Sequence, residues 1–299
     1  MDDPGQNKII DQDNADDGDN IFQETGSAGN DNFKIIIAII LFAGLLIWIF
    51  PFYWMIVTGL KEQAEVFQFP PTFIPRTANL SAFRAAFESL EFSISFTNSV
   101  IISAGAALLQ CIVCALAAYP LARMKFKGRE FMFLFFISTM MIPLNTIITG
   151  NFEVLNQLGW IDTYQALIIP FGASGLAIFI FRQFFRTIPQ DLEDAARIDG
   201  CGRLRFIIKI LFPIAKPAFA SVGIFVWQSQ WNQFLWPLIM TNSREMWVIQ
   251  VALSAMDDAW GTNHPEMMAA AAITALPPLI LFIFLQKYFI QGIARTGID

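Results

Sequence analysis

Charge is what this sequence has least of. Only 15% of its 299 residues are Asp, Glu, Lys or Arg, while 55% are hydrophobic; soluble domains carry roughly 25% charged residues. That leaves too little polar surface to cover a globule in water, so the chain reads as a bilayer protein. Three cysteines are too few for a secreted disulfide scaffold, and the apolar content excludes a disordered chain. A lone histidine, His264, rules out clustered-His metal sites and leaves nothing for a Ser-His-Asp triad. Catalytic and metal-binding residues are therefore expected to be absent. There is no Gly-x-x-x-x-Gly-Lys-Ser/Thr phosphate loop, so this chain does not hold ATP in that manner. What is abundant is aromatic, with 31 Phe and 8 Trp, residues that serve both lipid-facing surface and interfacial anchoring.

The formal charge of -6 divides unevenly. Residues 1–33 hold nine of the 25 acids against Lys8 alone, so the remaining chain is slightly basic. That Asp/Asn/Gly-rich stretch lacks apolar periodicity and is expected to be a disordered, acidic cytoplasmic tail. It lacks the basic start and small-residue cleavage site of a signal peptide.

A bilayer core of about 30 Å needs about 20 apolar residues in a helix. Six charge-free stretches are long enough: 35–60, 92–122, 131–152, 163–181, 217–243 and 267–286. Residues 34–299 are thus expected to form an all-α polytopic membrane domain with six transmembrane helices. Lys and Arg gather on one side: fifteen fall in the tail, the 123–130 loop, the 182–216 stretch and the C-terminus, and only Lys61, Arg76, Arg84 and Arg244 on the other. The positive-inside rule then puts both termini and 182–216 in the cytoplasm, with 61–91, 153–162 and 244–266 outside. Arg182 is counted among the loop charges.

The segment 188–213 carries the most information. Asp191 is placed to cap a short helix, with Asp194 three residues on. Leu192, Ala195, Ala196 and Ile198 give that helix a small apolar face, and Gly200 ends it. It is too short and too charged to span, so it lies against the membrane face or in a partner's groove, with charges pairing at the edges. The residues Asp194, Ala195, Ala196, Gly200, Ile210, Phe212 and Pro213 resemble, in spacing at every step, the Glu-Ala-Ala motif of membrane subunits of binding-protein-dependent ABC importers. Asp194 stands for the motif's Glu, with Glu193 beside it, and Phe212 for its Leu. WNQFLWPLIMT at 231–241 and QKYFIQGIARTGI at 286–298 resemble the sugar-importing, maltose-permease branch.

The resemblance implies a type I ABC importer permease fold in the bacterial inner membrane. It implies a second permease subunit in a heterodimer, a separate ATPase dimer holding ATP and Mg, and an extracytoplasmic substrate-binding protein; lipid is the surrounding partner and nucleic acid is not expected. In that family the short helix docks on the ATPase, so Glu193, Asp194, Ala195, Ala196, Asp199, Gly200 and Pro213 are the expected coupling residues. Polar residues within a span need a cavity, a pathway or a neighbouring helix. In the fifth span Trp227, Gln230, Trp231 and Asn232 suit a sugar pathway, whereas cross-helix bonding or interfacial anchoring reads the same residues structurally. Pro237 is expected to bend that span. Trp247, Asp257, Asp258 and Trp260 in the outer loop are expected to meet the binding protein. Cys111 and Cys114 read as small buried side chains. A secondary, ion-coupled transporter of a small polar solute is the alternative, but every expected span lacks a carboxylate and no internal repeat of spans is visible.

Overall fold

The computed structural model describes residues 18–88, 90–256 and 263–294. Residues up to Trp54 and residues from Met55 onward form two separate compact units. The first is the body of α1, Gly18–Gly59, with Pro51 inside the helix. Over Phe33–Gly59 it is 27 residues long, about 40 Å at 1.5 Å per residue, enough to cross a bilayer. Backbone 18–33, expected to be disordered from its composition, is helical. Extension from an existing helix adds one bond per residue without a new nucleus.

In the second unit α2, Ser81–Glu88, leads to the long α3, Leu90–Arg123. α4, Arg129–Ser138, and α5, Leu144–Gln157, follow, then a short helix Tyr164–Ile168 and α6, Gly175–Thr187. α7, Gln190–Ile198, precedes a helical stretch from Arg203 to Ile214 that runs into α8, Lys216–Trp231. α9, Leu235–Met240, α10, Ile249–Ala255, and α11, His264–Ala294, complete it. No strand occurs among the described residues.

Besides α1, two single helices are long and apolar enough to cross a membrane, within α3 and α11. The other expected spans are bent pairs. The third, at 131–152, is not one straight helix: α4 continues to Met141, and α5 leaves at 97°. Pro143, extended at φ -64 and ψ 136, supplies the break. The fourth bends by 46° before α6, and α6 carries Arg182 within it, beyond the point where charge counting ended the span. At the fifth, the helical stretch Arg203–Ile214 meets α8 at 78°, a bend that falls just before the expected start at 217, and α8 itself stops at Trp231, before Pro237. Pro237 instead occupies the first turn of α9, where its missing N–H has no intrahelical partner to lose.

α3 is the axis of the second unit, packed chiefly against α6 and α8. Three apolar clusters tie it in. One, at the basic side, joins Tyr119, Phe181, Phe185, Phe206 and Ala196. The second joins Ile102, Leu167, Trp236 and Val248, and the third Phe92, Trp231, Ile249 and Ala270. Cys111 and Cys114 are free, buried thiols packed against backbone at Phe219 and Ser174.

Candidate coupling site and loop anchors

Pro189, with φ -54 and ψ 141, starts α7 two residues earlier than expected. No side chain caps the helix. Asp191 is therefore not the cap; it lies in the first turn, where its charge meets the helix dipole. At the other end Gly200 has φ +72, its N–H donates to the Arg197 carbonyl at 3.0 Å, and the Cys201 N–H donates to the Ala196 carbonyl at 2.8 Å. This paired closure needs a left-handed residue, which only Gly adopts freely.

One side chain holds α7 to the transmembrane body. Glu193 is 2% exposed. Its carboxylate accepts from the Tyr119 hydroxyl at 3.1 Å, the Arg123 Nε at 3.2 Å and an Arg197 guanidinium N–H at 2.8 Å. Arg123, the last residue of α3, is as deeply buried and also donates to the carbonyls of Phe185, Ile188 and Pro189. The end of α3, the exit of α6 and the first turn of α7 thus meet at one guanidinium. Ala196 faces the same way, into the basic-side cluster.

Asp194, Ala195, Ile198 and Asp199 point away from the body. Asp194 reaches Arg197 at 3.8 Å, with both side chains half exposed. The expected coupling set therefore divides: Glu193 and Ala196 fasten the helix, while Asp194, Ala195 and Asp199 are presented outward beside Ile198. Pro213 is exposed just before the bend into α8. A second clasp lies close by in sequence: Arg182 donates to both Glu130 oxygens at 2.7 Å and to the Leu121 carbonyl at 3.1 Å, and its guanidinium sits 3.8 Å from the centre of the Phe133 ring.

The expected pathway residues also divide. Trp231 is fully buried, stacked on Trp227 at 4.9 Å, edge-on to Phe96, and its indole N–H donates to the Thr274 carbonyl at 3.2 Å. In this conformation its ring is taken up in cross-helix packing. Gln230 is buried as well, whereas Trp227 is half-buried and Asn232, past the end of α8, is exposed.

On the far side the segment 240–249 is fastened at several points that the sequence did not single out. Asn98 of α3 donates to the carbonyls of Glu245 and Trp247 at 2.7 and 2.9 Å and accepts from the Tyr164 hydroxyl at 2.6 Å. The neighbouring Ser99 hydroxyl accepts from the Ile249 N–H at 2.8 Å. Asp162, at φ +63, donates its N–H to the Met240 carbonyl and accepts from the N–H groups of Asn242 and Ser243 at 2.8 and 3.0 Å. Burial pushes its carboxyl up, but the hydrogen bonds from Ser243 and Asn242 prevail and hold it below the usual value. Trp247 is half-buried against the second cluster, with the Arg244 guanidinium over its ring. Asp257, Asp258 and Trp260 lie outside the described residues. No group of three or more His, Cys, Asp or Glu among the described residues could hold a metal.

Residues 111–295 match the family described as binding-protein-dependent transport system inner membrane component. The chain belongs to that family. Its relatives include the arabinooligosaccharides transport system permease protein AraQ of Halalkalibacterium halodurans, 34% identical over 84% of this chain and 91% of that protein. The sn-glycerol-3-phosphate transport system permease protein UgpE of Brucella suis is 32% identical over 86% and 95%. A solved bacterial ABC transporter involved in the import of the acidic polysaccharide alginate shares the fold, with a TM-score of 0.80 at 24% identity over 88% of this chain and 98% of that one. As a permease of this family the chain is an inner-membrane transport component, and the buried Glu193 clasp lies inside the matched region.

Proposed function

We propose that this permease forms part of the translocation pathway for a sugar or oligosaccharide and is driven through α7 by a separate cytoplasmic ATPase dimer. The observation that carries the reading is the division of α7. One face is bolted to α3 through Glu193 and Arg123, and the other presents Asp194, Ala195, Ile198 and Asp199 unburied. A short helix held rigidly on one side and apolar-acidic on the other suits a load-bearing contact, because coupling requires two states that each site favours differently. Carbohydrate or a polyol phosphate is named in the descriptions of the relatives, which supports that substrate class. Trp227 and Asn232 are the proposed pathway contacts. The basic side faces the cytoplasm, with both termini there. A companion permease completes the pathway, and an external binding protein meets the loop around Trp247, Asp257, Asp258 and Trp260.

Purification of the assembled transporter tests this. An ATPase should co-isolate, and its turnover should rise with a sugar-loaded binding protein. Asp194→Lys should abolish that stimulation while leaving membrane insertion intact. Uptake driven by a proton gradient without ATP, or normal sugar uptake by Asp194→Lys, would overturn the reading.

A further inference from the structure

The segment leaving α1 is built inside out for water. From Val66 to Pro75 no residue is charged, and Phe67, Phe69, Phe73 and Ile74 are all exposed, Phe69 at 95% and Ile74 at 76%. Apart from the exposed Gln68, its polar groups converge inward instead. The buried Glu65 accepts from the Thr72 hydroxyl at 2.8 Å and the Arg76 N–H at 3.1 Å, the Lys61 ammonium donates to the Thr72 carbonyl, and the Asn79 N–H donates to the Leu60 carbonyl. Both ends of the loop are thereby drawn together under the apolar tip. Pro70, Pro71 and Pro75 each remove an N–H donor from the outward arc.

The position of the loop is marked from two directions. Its first residues follow the end of a membrane-crossing stretch at Gly59. Phe67 packs edge-on against His264 at 5.0 Å, and the His264 N–H donates to Gln63 at 3.1 Å; His264 is the first residue of the crossing stretch in α11. The loop therefore packs beside the first turn of the apolar stretch in α11. A groove of about 440 Å³ between α2 and α11 is lined by Leu80, Phe83, Phe87 and Ile273 with Arg84 and Glu88.

We propose that residues 66–76 form a membrane-interface anchor, with Phe69 and Ile74 inserted among the lipid acyl chains. Two features favour lipid over a protein partner. A protein interface supplies about one hydrogen bond per 100–200 Å², whereas this arc carries prolines and presents hydrocarbon. A medium without hydrogen-bonding groups penalises every unsatisfied donor, and the inward-turned Glu65 carboxylate takes up the Thr72 hydroxyl and the Arg76 N–H.

The test uses the full transporter complex in nanodiscs of phosphatidylethanolamine and phosphatidylglycerol. An environment-sensitive fluorophore is placed at Phe69→Cys or Ile74→Cys in a Cys201→Ser background, Cys111 and Cys114 being buried. Leu134→Cys, on the exposed face of α4, and Asn242→Cys, in the far-side loop, serve as lipid and aqueous references. Nitroxides attached to the upper acyl chain should quench the Phe69 and Ile74 labels as strongly as the Leu134 label, and a water-soluble nitroxide should quench them far less than the Asn242 label. Equal quenching by the aqueous agent overturns the proposal. So does silence to both quenchers that is relieved when the companion subunit is omitted, which would assign the arc to a protein partner.

Discussion

Replacing Glu193 by Ala should detach α7 from the body without destroying the fold. The substitution leaves Arg123 buried, with 4% of its side chain exposed, and without its carboxylate; it also leaves the Tyr119 hydroxyl without its acceptor. Removing one partner of a buried ion pair costs about 3–5 kcal/mol. Arg123 keeps three backbone carbonyls, which argues for the low end, about 3 kcal/mol. At 1.36 kcal/mol per factor of ten, amide exchange across α7 should accelerate by about two orders of magnitude wherever opening of this clasp governs exchange. Asp194→Ala is the internal control, since an exposed pair at 3.8 Å is worth about 0–1 kcal/mol. Hydrogen-exchange mass spectrometry on peptides covering 188–200 reads both. Glu193→Gln, which retains the carbonyl acceptor and loses the charge, should fall between them. Equal protection in Glu193→Ala and wild type, or equal loss in Asp194→Ala, would refute the assignment of Glu193 as the anchor.

Gly175→Ala should push α6 away from α4, because a Cβ at that position would stand 2.3 Å from the Phe136 carbonyl oxygen of α4. The expected loss of about 1–3 kcal/mol for overpacking should appear as a lowered Tm of the purified permease. Gly150→Ala, with nothing within 4 Å, should show no loss and a small gain, since Gly costs about 0.5–1 kcal/mol against Ala inside a helix. The far-side loop should loosen in acid. The Asp162 carboxyl titrates below its ordinary value, so its contribution is present above the unfolded pKa of about 3.9 and is lost as pH falls through the lower folded pKa. Pepsin cleavage within 240–249 should rise across that acidic window in wild type. In Asp162→Asn, cleavage should be high already at its upper end, and a flat wild-type profile would count against the clamp.

Much of this protein was legible because its strongest signals are local. A stretch such as 35–60 cannot be anything but membrane-crossing by length and lack of charge, and the spacing from Asp194 to Pro213 needs no coordinates to be seen. The bends were harder. Pro143 does turn the third crossing, yet Pro237, equally visible, leaves α9 undisturbed because the break had already come at Asn232–Phe234. A proline disrupts only where a helical N–H was required. Arg182 misled charge counting for a related reason: with Glu130 as counter-ion and Phe133 beneath it, a charge can sit inside a helix that extends past the apolar stretch.

The role of Glu193 over Asp194 was not legible. The two acids are neighbours, so on a helix they point about 100° apart, and only the position of Arg123, seventy residues earlier, decides which one is buried. Asn98 and Trp231 carry the same lesson, since their partners at Glu245, Trp247 and Thr274 are distant in sequence. The sequence by itself determined the class, the long apolar stretches and the short polar helix near 190–198, because hydrophobic length and short-range spacing are properties of the chain alone. Which face of α7 is fastened, and which tryptophan is packed away, was decided by tertiary structure, because burial depends on what the rest of the chain brings alongside.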